Sequence, residues 1–413
     1  MMEYGLLGEK LSHSFSKEIH ETIAEYTYEL IEVAPEALDV FMKERQFKAI
    51  NVTIPYKQKV IPYLDEMTEA ARLIGAVNCI RNENGKLIGH NTDYDGMLGL
   101  LRHADVTLSG KKVLILGTGG TSDTALAVCD KLGAEYAVKV GRSEKLGSVT
   151  YAQAEIDYAD AQIILNTTPC GMYPNMYEQP ICLEPFKRLE AVIDVIYNPL
   201  QTTLVLDAKQ RKLKAEGGLY MLVEQAVKAS AFFLDTNYDS QITDQVYEAL
   251  FVKKQNIVLT GMPSCGKTTV GKLLANHLNR PFYDTDDLIE AKSDKKITDI
   301  FETYGEAYFR DLETEMIKEV ALKNGCVIAT GGGAVLRQEN VDALKQNGTV
   351  FFIDRELQSL MPTKDRPTAS SIAQIRQRYE ERYPIYTATC DFVIPHQNTA
   401  ESVMDAINKE LFL

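Results

Sequence analysis

Eight residues constrain this chain more than any others: Gly261-Met-Pro-Ser-Cys-Gly-Lys267-Thr268. They follow an apolar run, Asn256 to Thr260, and open a run with helical periodicity, Thr269 to Leu278. Strand, G-x-x-x-x-G-K-[ST] and helix in that order describe a phosphate-binding loop. The glycines let backbone N–H groups close around phosphate oxygens, and the helix N-terminus adds a favourable dipole. Gly261, Gly266, Lys267, Thr268 and Thr269 are therefore expected to hold ATP, with Lys267 bridging the β- and γ-phosphates and Thr268 on Mg²⁺. Such a loop normally follows the first strand of its domain, so a domain is expected to begin near residue 254. About 160 residues then follow and about 250 precede, which is enough for two separate enzymes.

The bulk numbers exclude several classes of partner. With 45% hydrophobic and 25% charged residues, the 413-residue chain has the composition of a globular protein with ample core. A net charge of −14 argues against nucleic acid, whose phosphates call for a basic face. Seven cysteines are scattered without a C-x-x-C pair, which reads as reduced thiols in the cytoplasm. No signal peptide is expected, and no apolar run is long enough to span a bilayer. The sequence leaves the oligomeric state open.

In the first hundred residues, Ser14 and Ser16 precede a helix expected from about Lys17, where their hydroxyls could cap it or hold a carboxylate. Further on, the strand-like Ala49-Ile-Asn-Val-Thr-Ile reaches Pro55, which is expected to start a helix with Lys57 in its first turn. A lysine there faces the positive end of the helix dipole, which would ready it to give up a proton. Asp93 precedes another helix, either as its N-cap or as the partner of an acid/base pair.

Lys111 to Leu116 is a buried strand running into Gly117-Thr-Gly119-Gly120-Thr121-Ser122, with a helix expected from Asp123 to Leu132. This is a dinucleotide fingerprint with Ser122 in place of the last small residue. After the next strand stand Arg142, Ser143 and Lys145, which suit a ribose 2′-phosphate and hence NADP, whereas Glu144 would suit NAD.

The last part repeats the theme of polar turns after strands. Asp284 and Asp286 fall at a strand end and helix start, either as caps or as a Mg²⁺-side acid and an acceptor for a substrate hydroxyl. Arg310 lies near a helix start, and Val327 to Thr330 ends in Gly331, Gly332 and Gly333. Arg366 lies in a polar stretch suited to a lid, and Arg382 follows it.

Taken together, the first 250 or so residues resemble shikimate dehydrogenase. The motifs that carry this are Ser12-His-Ser14-Phe-Ser16, Asn51-Val-Thr-Ile-Pro-Tyr-Lys57, Gly75-Ala-Val-Asn78, Gly89-His-Asn-Thr-Asp93, Gly117 to Ser122, Asn166-Thr-Thr-Pro-Cys-Gly171, Asp194-Val-Ile-Tyr197, and Gly218-Leu-Tyr-Met221 with Gln225. The rest resembles shikimate kinase over the full 160 residues. The first resemblance implies substrate contacts from Ser14, Ser16, Thr53, Asn78, Tyr197 and Gln225, with Lys57 and Asp93 as the catalytic pair. It implies NADP(H) on the glycine loop, Arg142, Ser143, Lys145 and Gly218. The second implies that Asp286 holds the reacting hydroxyl, that Arg310 and Arg382 clamp a carboxylate beside Gly332 and Gly333, and that Arg366 steadies the transferring phosphoryl group. Asp284 joins Thr268 on the Mg²⁺ side.

The expected fold is thus α/β throughout. A two-part dehydrogenase occupies 1–252, with its substrate subdomain in 1–103 plus 219–252 and a Rossmann-like NADP subdomain in 104–218. A P-loop kinase domain with a parallel sheet follows in 254–413. The implied substrates are 3-dehydroshikimate and shikimate. The chain departs from the family patterns at Lys17, Cys79 and Gly141, and in a short lid segment around Lys364 without a second arginine.

Overall fold

The computed structural model describes the chain except residues 1, 12–13, 145–146, 361–371, 397–398 and 412–413. Two of the expected site residues, Lys145 and Arg366, lie outside the described residues.

The first part runs β1 (Met2–Gly8), α1 (Ser16–Ile23), β2 (Tyr28–Glu32), α2 (Leu38–Glu44), β3 (Phe47–Val52), β4 (Glu66–Met67), α3 (Glu69–Ile74), β5 (Cys79–Glu83), β6 (Lys86–His90) and α4 (Asp93–His103). Its six strands form one mixed sheet in the order β2-β1-β3-β5-β6-β4. β3 lies parallel to β1 and antiparallel to β5. Leu7, Ile50, Val52, Ile80 and Leu87 are fully buried against Tyr56 and Val60.

The next part comprises β7 (Lys112–Leu116), α5 (Gly120–Lys131), β8 (Tyr136–Gly141), β9 (Ser148–Thr150), α6 (Tyr151–Asp157), β10 (Ile163–Asn166), β11 (Ala191–Asp194), α7 (Thr203–Gln210) and β12 (Lys214–Glu216). The sheet order is β12-β11-β10-β7-β8-β9, with every pairing parallel. The order reverses between β7 and β10, the crevice where a doubly wound sheet receives a dinucleotide. The strand β7 is apolar and buried along Val113 to Leu116, as expected of a strand with helices on both faces.

The chain then returns through α8 (Leu219–Leu234) and α9 (Ile242–Lys254). Helix α8 packs closely on α4, because Gly96 and Gly99 present no side chain. A Cβ on Gly96 would lie 2.9 Å from the Met221 carbonyl oxygen, and one on Gly99 would lie 2.8 Å from Glu224 Cγ. The residue just before α8 is constrained harder. A Cβ on Gly218 would sit 2.0 Å from the Val195 carbonyl oxygen, and backbone cannot yield as a side-chain tip can. Gly218→Ala is therefore expected to cost about 3 kcal/mol through overpacking, seen as a lower urea midpoint for dehydrogenase activity and for far-UV ellipticity alike.

The last part runs β13 (Asn256–Thr260), α10 (Lys267–Leu278), β14 (Phe282–Asp284), α11 (Thr285–Ser293), α12 (Ile297–Ala321), β15 (Val327–Ala329), α13 (Gln338–Asn347), β16 (Gly348–Asp354), α14 (Ile372–Thr389), β17 (Phe392–Pro395) and α15 (Ala400–Leu411). Five parallel strands are ordered β14-β15-β13-β16-β17. All five residues of β13 are buried, and it sits at the centre. The order reverses there, so the loop after β13 opens at the reversal point. The α/β expectation is met in all three sheets.

By internal contacts the chain forms two compact units. The first is Met1–Asn198 with Asp207–Leu250, and the second is Phe251–Leu413 with the short segment Pro199–Leu206. Among the described residues, no helix is long and apolar enough to cross a membrane.

Candidate active sites

The first site forms where β3, β5, α4 and α8 meet. The Lys57 ammonium lies 2.6 Å from Asp93 Oδ2. Asn78 donates to Asp93 Oδ1 at 2.9 Å and to Gln225 Oε1 at 3.5 Å, while its own Oδ1 accepts the Thr92 N–H at 2.8 Å. Four residues from distant parts of the sequence thus form one polar cluster. Asp93 is only 6% exposed and Lys57 25%, so the ammonium is the member that reaches the opening.

Two local expectations fail here. Pro55 does not begin a helix, and residues 54–60 form turns leading into a short 3₁₀ segment at Ile61–Tyr63. The reason is visible in the backbone bonding. The Lys57 carbonyl accepts the Val77 N–H at 2.8 Å, the Ile61 N–H turns back to the Gln58 carbonyl at 3.3 Å rather than to Lys57, and Pro62 has no N–H to continue a helix. Lys57 does not stand in the first turn of a helix of its own, and Asp93, the first residue of α4, is what holds it in place. Asp93 is likewise not an N-cap. It is the first residue of α4, with Thr92 at the cap position making no side-chain bond to the helix N–H groups, and Asn91 Oδ1 accepting the Asp93 N–H at 2.9 Å. The carboxylate is thereby left for Lys57 and Asn78.

Ser14 and Ser16 hydroxyls lie 3.0 Å apart, and Ser14 Oγ accepts the Ser16 N–H at 3.2 Å. The cap position of α1 is Phe15, which has no side-chain cap bond. Phe15 packs on Tyr197, with ring centroids 5.3 Å apart, which places Tyr197 beside the residue that separates the two serines. Burial pushes the Tyr197 phenol up from its usual pKa. Thr53, after β3, is half-buried, and its N–H is held by the Leu7 carbonyl at 2.9 Å.

On the cofactor side, α5 begins at Gly120 rather than Asp123, with Gly119 at its cap position. The Ser122 hydroxyl donates to the Gly119 carbonyl at 2.6 Å and tightens the loop. Gly117 has φ +120°, and a Cβ there would strike Thr167 Oγ1 at 2.6 Å, so glycine is required. By contrast, nothing lies within 4 Å of a Cβ built on Gly119 or Gly120. A side chain at either position would meet no neighbour, so the start of α5 is open to a ligand on that side. Arg142 and Ser143 are exposed just past β8. Gly218 meets the Val195 backbone, and that contact accounts for the glycine.

The second site surrounds the loop after β13. Gly261 and Gly266 have φ of +144° and +103°, the region that favours glycine. Lys267 is 6% exposed, and its ammonium donates to the Gly261 and Met262 carbonyls at 2.8 and 2.9 Å. Thr268 Oγ1 donates to Asp284 Oδ2 at 2.7 Å, while Asp284 Oδ1 accepts the Asp286 N–H at 3.0 Å and caps α11. The cap and the Thr268 partner are therefore one carboxylate. Thr269 is exposed in the first turn of α10.

Gly331, Gly332 and Gly333 pass between this loop and the side chains of Arg310 and Arg382. A Cβ on Gly331 would lie 2.7 Å from both Asp286 Oδ1 and Glu313 Oε1, one on Gly332 would lie 2.9 Å from Pro263, and one on Gly333 would overlap the Arg310 guanidinium. Arg382, 6% exposed, donates to the Gly332 carbonyl at 2.9 Å, and the Tyr386 hydroxyl donates to the same oxygen. α12 contains a break at Gly305, with φ 83°, so Arg310 does stand near a helix start.

Sequence reasoning missed Glu313. It lies three residues after Arg310, hence on the same helix face, and accepts from Arg310 Nη1 at 2.7 Å with its side chain fully buried. Its Oε1 has no hydrogen-bond partner in the protein among the described residues. Burial drives the Glu313 pKa up against the pull of Arg310. Burial pulls Arg310 down, but Glu313 and Glu306 outweigh it and the net shift is upward. The i, i+3 spacing was the available signal.

Three comparisons bear on these sites. Residues 6–80 match the family described as the shikimate dehydrogenase substrate binding domain, and residues 263–412 match that of shikimate kinase. A curated relative, the shikimate dehydrogenase (NADP(+)) of Clostridium beijerinckii, is 36% identical over 261 residues, which is 59% of this chain and 96% of the relative. Among solved structures, shikimate dehydrogenase 1 from Peptoclostridium difficile is 36% identical with a TM-score of 0.57, covering 60% of this chain and 98% of that one. A chorismate mutase/shikimate 5-dehydrogenase fusion protein from Clostridium acetobutylicum is 33% identical with the same TM-score of 0.57, covering 60% and 97%. The chain thus belongs to the shikimate dehydrogenase family over its first 250 or so residues and carries a shikimate kinase domain behind it.

Proposed function

We propose that the first site reduces 3-dehydroshikimate to shikimate with NADPH and that the second phosphorylates the 3-hydroxyl of shikimate with Mg-ATP. The observation that supports this best is the Lys57–Asp93–Asn78–Gln225 cluster, together with a separate P-loop cluster, in one chain.

In the first reaction, the reduced nicotinamide supplies a hydride to the carbonyl carbon when bound. Lys57 donates a proton to the oxygen as the carbon–oxygen double bond becomes single, so that the ketone leaves as a secondary alcohol. Asp93 holds the ammonium in line at 2.6 Å, and Asn78 fixes Asp93 from the other side. Ser14 and Ser16 take the substrate carboxylate, and Thr53, Tyr197 and Gln225 bind the rest of the ring. The open N-terminus of α5 fits a pyrophosphate. Exposed Arg142 fits the 2′-phosphate that distinguishes NADP from NAD.

In the second reaction, the shikimate oxygen attacks the γ-phosphorus, the bond to the β,γ-bridging oxygen breaks, and Asp286 accepts the hydroxyl proton. Lys267 steadies the β- and γ-phosphates, and Arg310 and Arg382 clamp the carboxylate. Arg366 is assigned to the transferring phosphoryl group on the family resemblance. The Thr268 hydroxyl and the Asp284 carboxylate, 2.7 Å apart, are a hard-oxygen pair of the kind that holds Mg²⁺ through few protein ligands and several waters. When bound, the ion neutralises phosphate charge.

Glu313→Gln removes the buried counter-charge that aims Arg310, and is expected to raise KM for shikimate about tenfold while KM for ATP stays unchanged in a coupled kinase assay. All seven cysteines are free, in keeping with a cytoplasmic enzyme. The deciding experiment is one incubation of the full chain with 3-dehydroshikimate, NADPH and Mg-ATP, read by mass spectrometry. Shikimate 3-phosphate is expected. Unchanged 3-dehydroshikimate would overturn the first assignment, and shikimate accumulating without its phosphate would overturn the second.

A further inference from the structure

A cavity of about 530 Å³ lies within the dehydrogenase unit, and its lining includes none of Lys57, Asn78, Asp93 and Gln225. Its walls are the face of α4 carrying Asp95, Leu98 and Arg102, the face of α8 carrying Glu224 and Lys228, and the connection through Val106 and Leu108. The volume is that of an ordinary small-molecule pocket, about 300–1,000 Å³. It is built from the opposite side of the helix that presents Asp93 and from the residue preceding Gln225.

The floor is apolar, formed by Leu98, Leu101, Val106, Leu108 and Leu132. Around it stand two acids and two bases, so the lining carries no net charge. The two acids are not satisfied alike. Glu224, 6% exposed, accepts from the Thr243 hydroxyl through Oε2. Its Oε1 faces Arg102 at 3.6 Å and Lys228 at 3.7 Å, beyond hydrogen-bond reach. Asp95 is half-buried and makes no hydrogen bond or ion pair among the described residues, and desolvation pushes its carboxyl pKa upward. Solvent still reaches this carboxylate, and a guest ammonium that took the water's place would gain a charge-assisted hydrogen bond in partly desolvated surroundings. Arg102 and Lys228 are 75% and 48% exposed, and are therefore free to swing over a guest.

We propose that this cavity binds a zwitterionic amphiphile of the apolar α-amino acid class. Its ammonium sits between Asp95 and Glu224, its carboxylate meets Arg102 and Lys228, and its side chain lies on the leucine floor. A simple cation would leave the two bases unanswered, and a simple anion would leave Asp95 bare. Only a guest with both charges and an apolar body matches the whole lining.

Isothermal titration of the full chain tests this, using L-phenylalanine and L-leucine beside phenethylamine and 3-phenylpropionate, which each keep one charge. At least one of the amino acids is expected to bind saturably with a Kd below about 1 mM, and the two single-charge analogues at least about tenfold more weakly. Asp95→Asn and Arg102→Gln are each expected to weaken the bound amino acid about tenfold, and dehydrogenase turnover in the same samples reports that the variants are folded. Arg102 is mostly exposed, so its variant decides the matter should Asp95→Asn fail to fold. Three results would overturn the proposal: no saturable binding of either amino acid up to about 10 mM, an analogue binding as tightly as its parent, or affinity unchanged by the folded variants.

Discussion

Lys57→Met is expected to lower kcat for 3-dehydroshikimate reduction about 10²- to 10⁴-fold, the range that a lost general acid commands. The substitution keeps all but the last atom of the unbranched side chain and removes the ammonium that lies 2.6 Å from Asp93. Asp93 retains the Asn78 amide at 2.9 Å, so the loop keeps one of its two anchors. KM for 3-dehydroshikimate is expected to move far less than kcat, because the proton is needed at the transition state and not for binding. Steady-state rates followed at the NADPH absorbance give both parameters. Kinase turnover in the same preparation serves as the internal control and is expected to be unchanged. A variant with near-normal kcat would remove Lys57 from the chemistry altogether.

The second large effect belongs to the other site. Lys267→Ala is expected to lower kcat/KM for ATP about 10²- to 10³-fold, as removal of a pre-aimed electrostatic group from a transition state does. In the free protein the ammonium is held by the Gly261 and Met262 carbonyls, so it is already inside the loop before nucleotide arrives. The lysine therefore costs little to orient when phosphate comes in. The same variant leaves two loop carbonyls without that donor, and a modest fall in the thermal midpoint of the kinase transition should accompany the rate loss. Calorimetry of the full chain and a coupled ADP assay measure the two effects. Dehydrogenase activity is the control and should stay at its original level.

Much of this arrangement could be read from residues alone, for reasons that differ between elements. The strand Asn256–Thr260 agrees with expectation to the residue, because three consecutive apolar residues just before a P-loop fix its place. The strand ahead of Gly117 begins one residue later than expected, at Lys112, and its closing glycine is forced by φ +120° and the Thr167 hydroxyl. Helix beginnings were harder. Gly120 and Lys267 are the first helical residues, earlier than expected, because a loop cradling phosphate borrows its last residues from the helix. The segment after Pro55 could not be read locally. Its conformation is set by Val77, twenty residues on, taking the Lys57 carbonyl. Glu313 escaped notice because a lone glutamate in an amphipathic helix looks like a solvated one, and only its burial beside Arg310 sets it apart.

The close seating of α8 on the two glycines of α4 also bears on how the chain comes into being. On the ribosome, residues 1–103 emerge first, followed by the complete parallel sheet of β7 to β12, before any of α8 is available. Until then the flank of α4 that includes Gly96 and Gly99 has no cover, and Asn78 waits for Gln225. The parallel sheet can therefore finish while the older part still lacks its α8 cover, and the last step of the dehydrogenase is a long-range closure across more than a hundred residues. A nascent chain halted after β12 should bind dinucleotide yet be cut by protease within α4. Lengthening the chain through Leu234 should protect that helix.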